Sequence, residues 1–157
     1  MPPEAASTNP RSTVRIAGHP IHPMLVPFPI VFFISALATD LLFLRNGAEI
    51  WATASAWLLG AGLVTAALAA MAGLVDFFGD RRVRSLRDAR MHMIGNIVAV
   101  LVEAVNLVLR LGDPAAGAST GVILSAVAVA ILAFTGWKGG ELVFRHRVGV
   151  HDDGRVG

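Results

Sequence analysis

Histidine residues flank three apolar segments of this chain, and imidazole is the side chain here best suited to binding a metal. His22 precedes the first apolar segment, His92 opens the third and His146 follows the fourth. Imidazole nitrogens bind haem iron and several transition metals. If these segment ends lie at one membrane face, the three side chains form a candidate site for haem b or, alternatively, for a transition-metal ion.

Four prolines surround the first histidines, at positions 20, 23, 27 and 29. Proline lacks the backbone N–H that a helix needs and pushes the preceding residue toward extended geometry. We therefore expect the first helix to begin near Pro27 or Pro29, with His19 and His22 on an extended arm. In an alternative interpretation, the arm caps the bundle and its imidazoles bind exposed backbone groups.

A polar stripe runs along the third apolar segment. His92, Asn96, Glu103, Asn106 and Arg110 are separated by 4, 7, 3 and 4 residues, which keeps them on one helical face. A carboxyl near the middle of a membrane span is costly, so Glu103 should face the bundle interior, either paired or protonated. The stripe predicts hydrogen bonds between helices or, alternatively, the wall of a proton path.

Other charged residues lie near the ends of the apolar segments. Lys138, Glu141 and Arg145 share a helical face after the fourth segment and predict interfacial ion pairs. Asp76 and Asp80, at the end of the second segment, are candidates to receive Arg or His partners from the same layer. Asp40 lies toward the opposite membrane face and is a further intramembrane polar candidate.

The composition is that of a membrane protein. Hydrophobic residues make up 55% of the 157 residues and charged residues 15%, against about 45–50% and about 25% in soluble domains. Each apolar segment is close to the length of about 20 residues that a helix needs to cross a bilayer. We predict an all-α, integral membrane four-helix bundle with spans at about 24–44, 51–78, 91–110 and 119–144.

The basic residues predict an orientation. They cluster before the first span, between the second and third spans and after the fourth, whereas the other two connections hold only Arg45 and Arg110. Because Lys and Arg near span ends favour the cytoplasm, both termini should be cytoplasmic in a bacterial inner membrane. The same distribution accounts for the pI of 10.4. The basic loop lacks interleaved aromatic residues, so we expect it to contact anionic lipid and no nucleic acid.

The chain has room for one membrane domain. We predict a flexible N-terminal tail over residues 1–17, a four-span domain over 18–147 and a C-terminal tail over 148–157. Gly with Asn, Asp or Pro at 45–47 and 112–114 predicts short turns, and residues 119–120 predict a cap for the fourth span. No internal repeat is evident in the sequence.

The residue types limit the chemistry. The chain has no Cys, so a metal centre would use His, Met, carboxylate or backbone ligands. No Ser, His and carboxylate combination at a useful spacing appears, nor does a phosphate-binding glycine loop. We therefore predict no catalytic residues and favour a non-enzymatic protein.

Several motifs resemble the bacterial Domain of Unknown Function 2231 family. They are Gly-His-Pro-Ile-His-Pro at the start of residues 18–30, Gly-Leu-Val-Asp at 73–76, His92 with Asn96, and the Gly-Trp-Lys-Gly-Gly-Glu segment of residues 136–146. The resemblance covers about residues 15–150 and implies a small inner-membrane protein. Some relatives join a similar domain to a Rieske-type iron–sulfur domain, which implies redox partners. The resemblance implies no activity and assigns no site residues.

Three functions are compatible with these features. In the first, two of the three flanking histidines hold haem b or a transition metal in an electron-transport protein that meets a redox partner. In the second, the chain is an accessory subunit of a larger membrane complex and binds no cofactor. In the third, a homo-oligomer transports protons or a proton-coupled solute along Asn96, Glu103 and Asn106.

Overall fold

The computed structural model describes residues 9–10 and 12–150, and it is almost entirely helical within them. The helices are α1 (Ile21–Leu25), α2 (Pro27–Asn46), α3 (Glu49–Gly79), α4 (Arg81–Ser85), α5 (Arg87–Leu109) and α6 (Pro114–Phe144). Two short strands, β1 (Arg15–Ile16) and β2 (His19–Pro20), pair antiparallel before α1. Most of the predicted tails, residues 1–8, 11 and 151–157, lies outside the described residues.

Four helical segments are long and apolar enough to cross a membrane, which confirms the predicted fold class. They are Ile21–Asn46, Glu49–Gly79, Arg87–Leu109 and Pro114–Phe144. Large apolar side chains cover much of the outer surface, and Trp57 and Leu101 are examples. An apolar exterior is what lipid requires of a spanning bundle, because chain atoms there have no water to contact.

The starts of the first and fourth spans differ from the prediction. α2 begins at Pro27, as predicted, but His22 lies in the short helix α1 and not on an extended arm. α6 begins at Pro114, five residues before the expected cap at 119–120. Asp113 is the N-cap, and its carboxylate accepts the backbone N–H groups of residues 115 and 116. The helix therefore starts inside the predicted turn, where proline suits the first helical position.

The loop after α2 follows the prediction from its sequence. Gly47 adopts a left-handed backbone, with φ of 68°, and its N–H donates to the carbonyl of Phe43 at 2.8 Å. Glycine adopts this conformation without the steric cost that a Cβ atom would bring. The turn directs α3 back along α2, so the two helices form a hairpin.

The two ends of the described chain meet at the end of the bundle that carries His22 and His92, called here the histidine end. Gly149 donates its N–H to the carbonyl of Pro10 at 2.9 Å. Asp76 accepts hydrogen bonds from the Ser12 hydroxyl and from the backbone N–H groups of residues 13 and 14. The donors of Asp76 therefore come from the N-terminal segment, which folds back onto α3, whereas Asp80 does have an Arg partner, Arg82.

Two helix hairpins, α2 with α3 and α5 with α6, bury equivalent positions. Adding 70 to the four buried positions of α2 gives three of the four buried positions of α5 and its buried C-cap, Arg110. Adding 66 relates most buried positions of α3 to those of α6. The pairs in α2 and α5 are Pro29 and Ala99, Phe33 and Glu103, Ala36 and Asn106, and Asp40 and Arg110. The pairs in α3 and α6 are Ala52 and Ala118, Ser55 and Gly121, Leu59 and Ser125, Gly62 and Ala128, and Ala69 and Thr135.

The packing between the hairpins has the same symmetry. α2 packs on α6, and its equivalent α5 packs on α3. The chain is thus an internal repeat of two parallel hairpins, contrary to the expectation of no repeat. The sequence conceals it because equivalent residues share burial and differ in chemistry, as Phe33 and Glu103 do.

Candidate functional site

Two histidines from the two hairpins meet at the histidine end, and together they are called here the imidazole pair. His22 lies in α1 and His92 in the second turn of α5. Their ring centroids are 6.1 Å apart and their planes are inclined at 86°. They occupy equivalent places in the repeat, since a shift of 70 residues relates them as it relates α2 to α5. The structure therefore brings together two of the three predicted histidines.

Each imidazole is anchored through Nδ1 to a helix of its own hairpin. Nδ1 of His22 lies 2.8 Å from the carbonyl oxygen of Ala69 in α3, and Nδ1 of His92 lies 2.8 Å from that of Thr135 in α6. A carbonyl oxygen only accepts, so Nδ1 carries the hydrogen in both rings. In the neutral rings Nε2 then keeps a lone pair, which is the form that binds metals; in His92 that lone pair faces the Asn96 amide.

Glycine gives each ring a place beside its anchoring helix. A Cβ atom added at Gly73 would lie 2.8 Å from Cε1 of His22, and one at Gly139 would lie 3.1 Å from Cε1 of His92. Each glycine follows the anchoring residue by four positions, one helical turn. A larger residue would therefore push the ring off its carbonyl partner.

Asn96 ties the second imidazole into a further set of hydrogen bonds. Its amide nitrogen lies 3.2 Å from Nε2 of His92 and donates to the carbonyl of His92 at 2.8 Å. Its amide oxygen accepts from the Thr135 hydroxyl at 3.1 Å. Asn96 thus supports the same tautomer of His92 that the carbonyl contact imposes.

The third predicted histidine lies elsewhere. His146 lies beyond the end of α6, and its Nε2 is 3.0 Å from the carboxylate of Asp88. Lys138 donates to the other oxygen of that carboxylate at 2.9 Å. Lys138, Glu141 and Arg145 therefore do not form one set of ion pairs. Glu141 pairs with Arg145 at 3.4 Å, whereas Lys138 pairs with Asp88.

The short helix α4 is fixed by its own acidic cap. The carboxylate of Asp80 accepts the backbone N–H of Arg82 at 2.8 Å and its guanidinium at 2.9 Å. The hydrogen bond to Asp80, together with the charge of that carboxylate, raises the pKa of Arg82. This contact holds part of the basic loop at the histidine end.

A second polar group is buried near the opposite end of the bundle. Asp40 and Arg110 form a two-fold hydrogen-bonded ion pair, with contacts of 2.7 and 2.8 Å and side chains that are 0% exposed. This group, called here the buried ion-pair cluster, comprises Asp40, Ser55, Glu103, Asn106, Arg110 and Ser125. Arg110 was expected near a connection and is instead buried, so it is the partner of Asp40.

Neutral side chains complete the contacts of the ion pair. Ser55 accepts from the Arg110 guanidinium at 3.0 Å, and Ser125 donates to Asp40 at 2.9 Å. Asn106 accepts from Nε of Arg110 at 3.0 Å and donates to Glu103 and Ser125. Buried charges require such partners, because each unsatisfied polar atom in a low-dielectric interior is costly.

Glu103 faces the bundle interior, as predicted, with a side chain that is 0% exposed. Its Oε2 accepts from Asn106 at 2.8 Å, whereas Oε1 has no hydrogen-bond partner among the described residues. The predicted stripe is divided, because buried Ala99 lies between Asn96 and Glu103. Within residues 9–10 and 12–150, no hydrogen bond joins the imidazole pair to the buried ion-pair cluster.

The sequence-based prediction missed several residues that position these sites. Asp88 was overlooked within the basic loop, and Ser55 and Ser125 lie in apolar stretches that contain no charged residue. A hydroxyl in an apolar span gives a weak signal, since it can also bond its own helix. The equivalence of Gly73 and Gly139 is visible in sequence only after the repeat is known.

The described residues contain no group of three or more His, Asp or Glu side chains that could hold a metal ion. The imidazole pair can therefore supply two nitrogen ligands and no third side chain of that type.

Comparison with known proteins identifies the family. No curated protein and no solved structure matches the chain. The family model described as "Predicted membrane protein (DUF2231)" matches residues 18–152, which include both hairpins and the imidazole pair. The chain is therefore a multi-pass membrane protein that belongs to the Domain of Unknown Function 2231 family.

Proposed function

We propose that this protein is a small redox protein of the bacterial inner membrane that binds haem b between His22 and His92. The observation that carries this proposal is the geometry of the imidazole pair. The ring centroids of His22 and His92 are 6.1 Å apart, so both imidazoles would hold one cofactor metal between them. Both Nδ1 atoms already point to carbonyl oxygens.

The number of ligands favours haem over a bare transition-metal ion. A bare ion in a protein usually takes three or four side-chain ligands, whereas haem iron needs one or two axial ligands. Two imidazoles from facing elements of a helical bundle meet that need. The bound haem would supply one-electron redox chemistry, and this chain would orient the two axial nitrogens.

Basic residues at the histidine end suit an acidic cofactor. Arg87 and Arg90 precede His92 in the first turn of α5, at the same end of the bundle. Their guanidinium groups are suited to pairing with haem propionates, which carry negative charge. With both termini in the cytoplasm, the site would face cytoplasmic electron donors or acceptors.

An absorption spectrum and elemental analysis of the purified protein test this proposal. We expect about one haem per chain, with a Soret band that shifts on reduction with dithionite. His22→Ala and His92→Ala should each lose or alter that band. The matched control His146→Ala should keep it, because His146 pairs with Asp88. If the protein instead contains one equivalent of a transition metal and no haem, the bound cofactor is a bare ion. If it contains neither, the proposal is refuted.

A second candidate function is that of an accessory subunit without cofactor. It is favoured by the two Nδ1 contacts, which join α1 to α3 and α5 to α6 and would stabilise the hairpins without any ligand. In that case His22→Ala and His92→Ala lower the thermal stability of the protein, and neither variant changes a spectrum. Co-purification of a larger complex that is lost in both variants would support it.

A further inference from the structure

Glu103 has no role in the proposed cofactor site. Its carboxyl is buried, and one of its oxygens has no hydrogen-bond partner among the described residues. We propose that Glu103 is a proton-binding site inside the bundle, with the exchangeable proton on Oε1. The site belongs to the buried ion-pair cluster and is independent of haem binding. The argument rests on burial, on partners and on the internal repeat.

The contacts of Glu103 leave one oxygen available. The side chain is 0% exposed, and Oε2 accepts the Asn106 amide at 2.8 Å. Oε1 is buried and has no partner in the described part of the chain. Buried polar atoms in folded proteins nearly always have a partner, so this one requires an explanation.

The charges around Glu103 do not neutralise it. The charged groups of the cluster are Asp40 from α2 and Arg110 from α5, and they pair with each other through two contacts of 2.7 and 2.8 Å. α3 and α6 contribute only the hydroxyls of Ser55 and Ser125. An ionised Glu103 would therefore leave one uncompensated negative charge in the membrane interior, which a single proton removes.

A proton fits this position better than a metal cation. Sodium, calcium and magnesium ions need several oxygen ligands around them. Asn106 already uses its oxygen to accept from Arg110, and Ser125 donates to Asp40. A proton needs only Oε1. Exchange requires a water molecule to reach Oε1; it breaks one O–H bond, leaves a carboxylate on Glu103 and transfers the proton to that water, with no change in oxidation state.

The internal repeat indicates that the fold does not require a carboxyl here. Phe33 occupies the equivalent position of the first hairpin and packs in the hydrophobic core. The polar neighbours of Glu103 are Asn106 and, beyond it, Arg110, which is the C-cap of α5. They therefore lie on the side of Glu103 toward the loop after α5.

Infrared spectroscopy of the full-length protein in lipid tests this proposal. We expect a C=O stretching band of a protonated, buried carboxylic acid at neutral pH, shifted in heavy water. The band should be absent in Glu103→Gln and present in the matched control Glu141→Gln, which removes a carboxylate at the histidine end. Glu103→Met provides a second variant if Glu103→Gln does not fold.

Three results would overturn the proposal. The first is the absence of a protonated carboxyl band in the wild-type protein at neutral pH. The second is a band that persists in folded Glu103→Gln or Glu103→Met. The third is loss of the band when sodium chloride replaces choline chloride, since that result would assign the site to a metal cation. Haem content does not enter any of these measurements, so the two proposals fail separately.

Discussion

Removal of either partner of the buried Asp40–Arg110 pair should destabilise the protein strongly, whereas removal of both should cost no more than either single removal. Both side chains are 0% exposed, so Asp40→Leu leaves a buried guanidinium and Arg110→Met leaves a buried carboxylate. Breaking a buried pair in this way costs about 3–5 kcal/mol. Replacing both residues by apolar side chains removes both charges, and such replacements are often close to neutral.

These values predict a large coupling energy between the two positions. If the double variant is no less stable than either single variant, the coupling is at least the cost of one single substitution, about 3 kcal/mol. A surface pair provides the control. Glu141 and Arg145 are 3.4 Å apart, and the Arg145 side chain is 74% exposed. Exposed helical pairs of this kind are worth about 0.3–0.5 kcal/mol.

The assay is reversible unfolding in mixed micelles, with helicity followed by circular dichroism. The wild type, the two single variants and the double variant form one cycle. Glu141→Gln, Arg145→Gln and their combination form the control cycle. A coupling energy for Asp40 and Arg110 as small as that of the surface pair would refute the reasoning, since it would mean that lipid, water or neighbouring dipoles already neutralise each charge.

Three further predictions concern packing, capping and the N-terminal segment. Gly62→Ala should destabilise the bundle by about 1–3 kcal/mol, because the added Cβ would lie 2.5 Å from a ring carbon of Phe33. The control is Gly60→Ala, where the added Cβ would have open space. It should be neutral or stabilising in the same unfolding assay. Asp113→Ala removes two hydrogen bonds at the start of α6 and should cost about 0.5–2 kcal/mol, measured as a lower midpoint of thermal unfolding. Asp76→Ala should accelerate proteolysis before β1 and leave cleavage in the basic loop unchanged, because it removes only the contacts of residues 12–14.

The spans could be predicted from sequence because lipid imposes a simple rule. Each spanning helix needs a long apolar stretch, and four such stretches are evident in the order of residues along the chain. The ends were less predictable. The start of α6 at Pro114 depends on the side chain of Asp113. An Asp at this place can stabilise either a turn or the first turn of a helix. Local sequence does not distinguish these two roles.

The polar contacts across the bundle could not be predicted from spacing. Asp40 and Arg110 are 70 positions apart in sequence and lie near the ends of different spans. Their pairing depends on how the two hairpins pack together. At these two positions the sequence hides the equivalence of α2 and α5, because one residue is acidic and the other is basic. The spacing of Glu103 and Asn106 was sufficient to place them on one interior face, because both belong to the same helix.

Shared haem ligation by His22 and His92 is tested most directly by titrating haemin into the cofactor-free protein. We predict binding of one haemin per chain, with the six-coordinate, low-spin spectrum of two axial imidazoles in the wild type. His22→Ala and His92→Ala should each give a weaker, five-coordinate complex, and the double variant should not bind. His146→Ala should bind like the wild type. A five-coordinate wild-type complex, or a six-coordinate complex in either single variant, would contradict shared ligation by the imidazole pair.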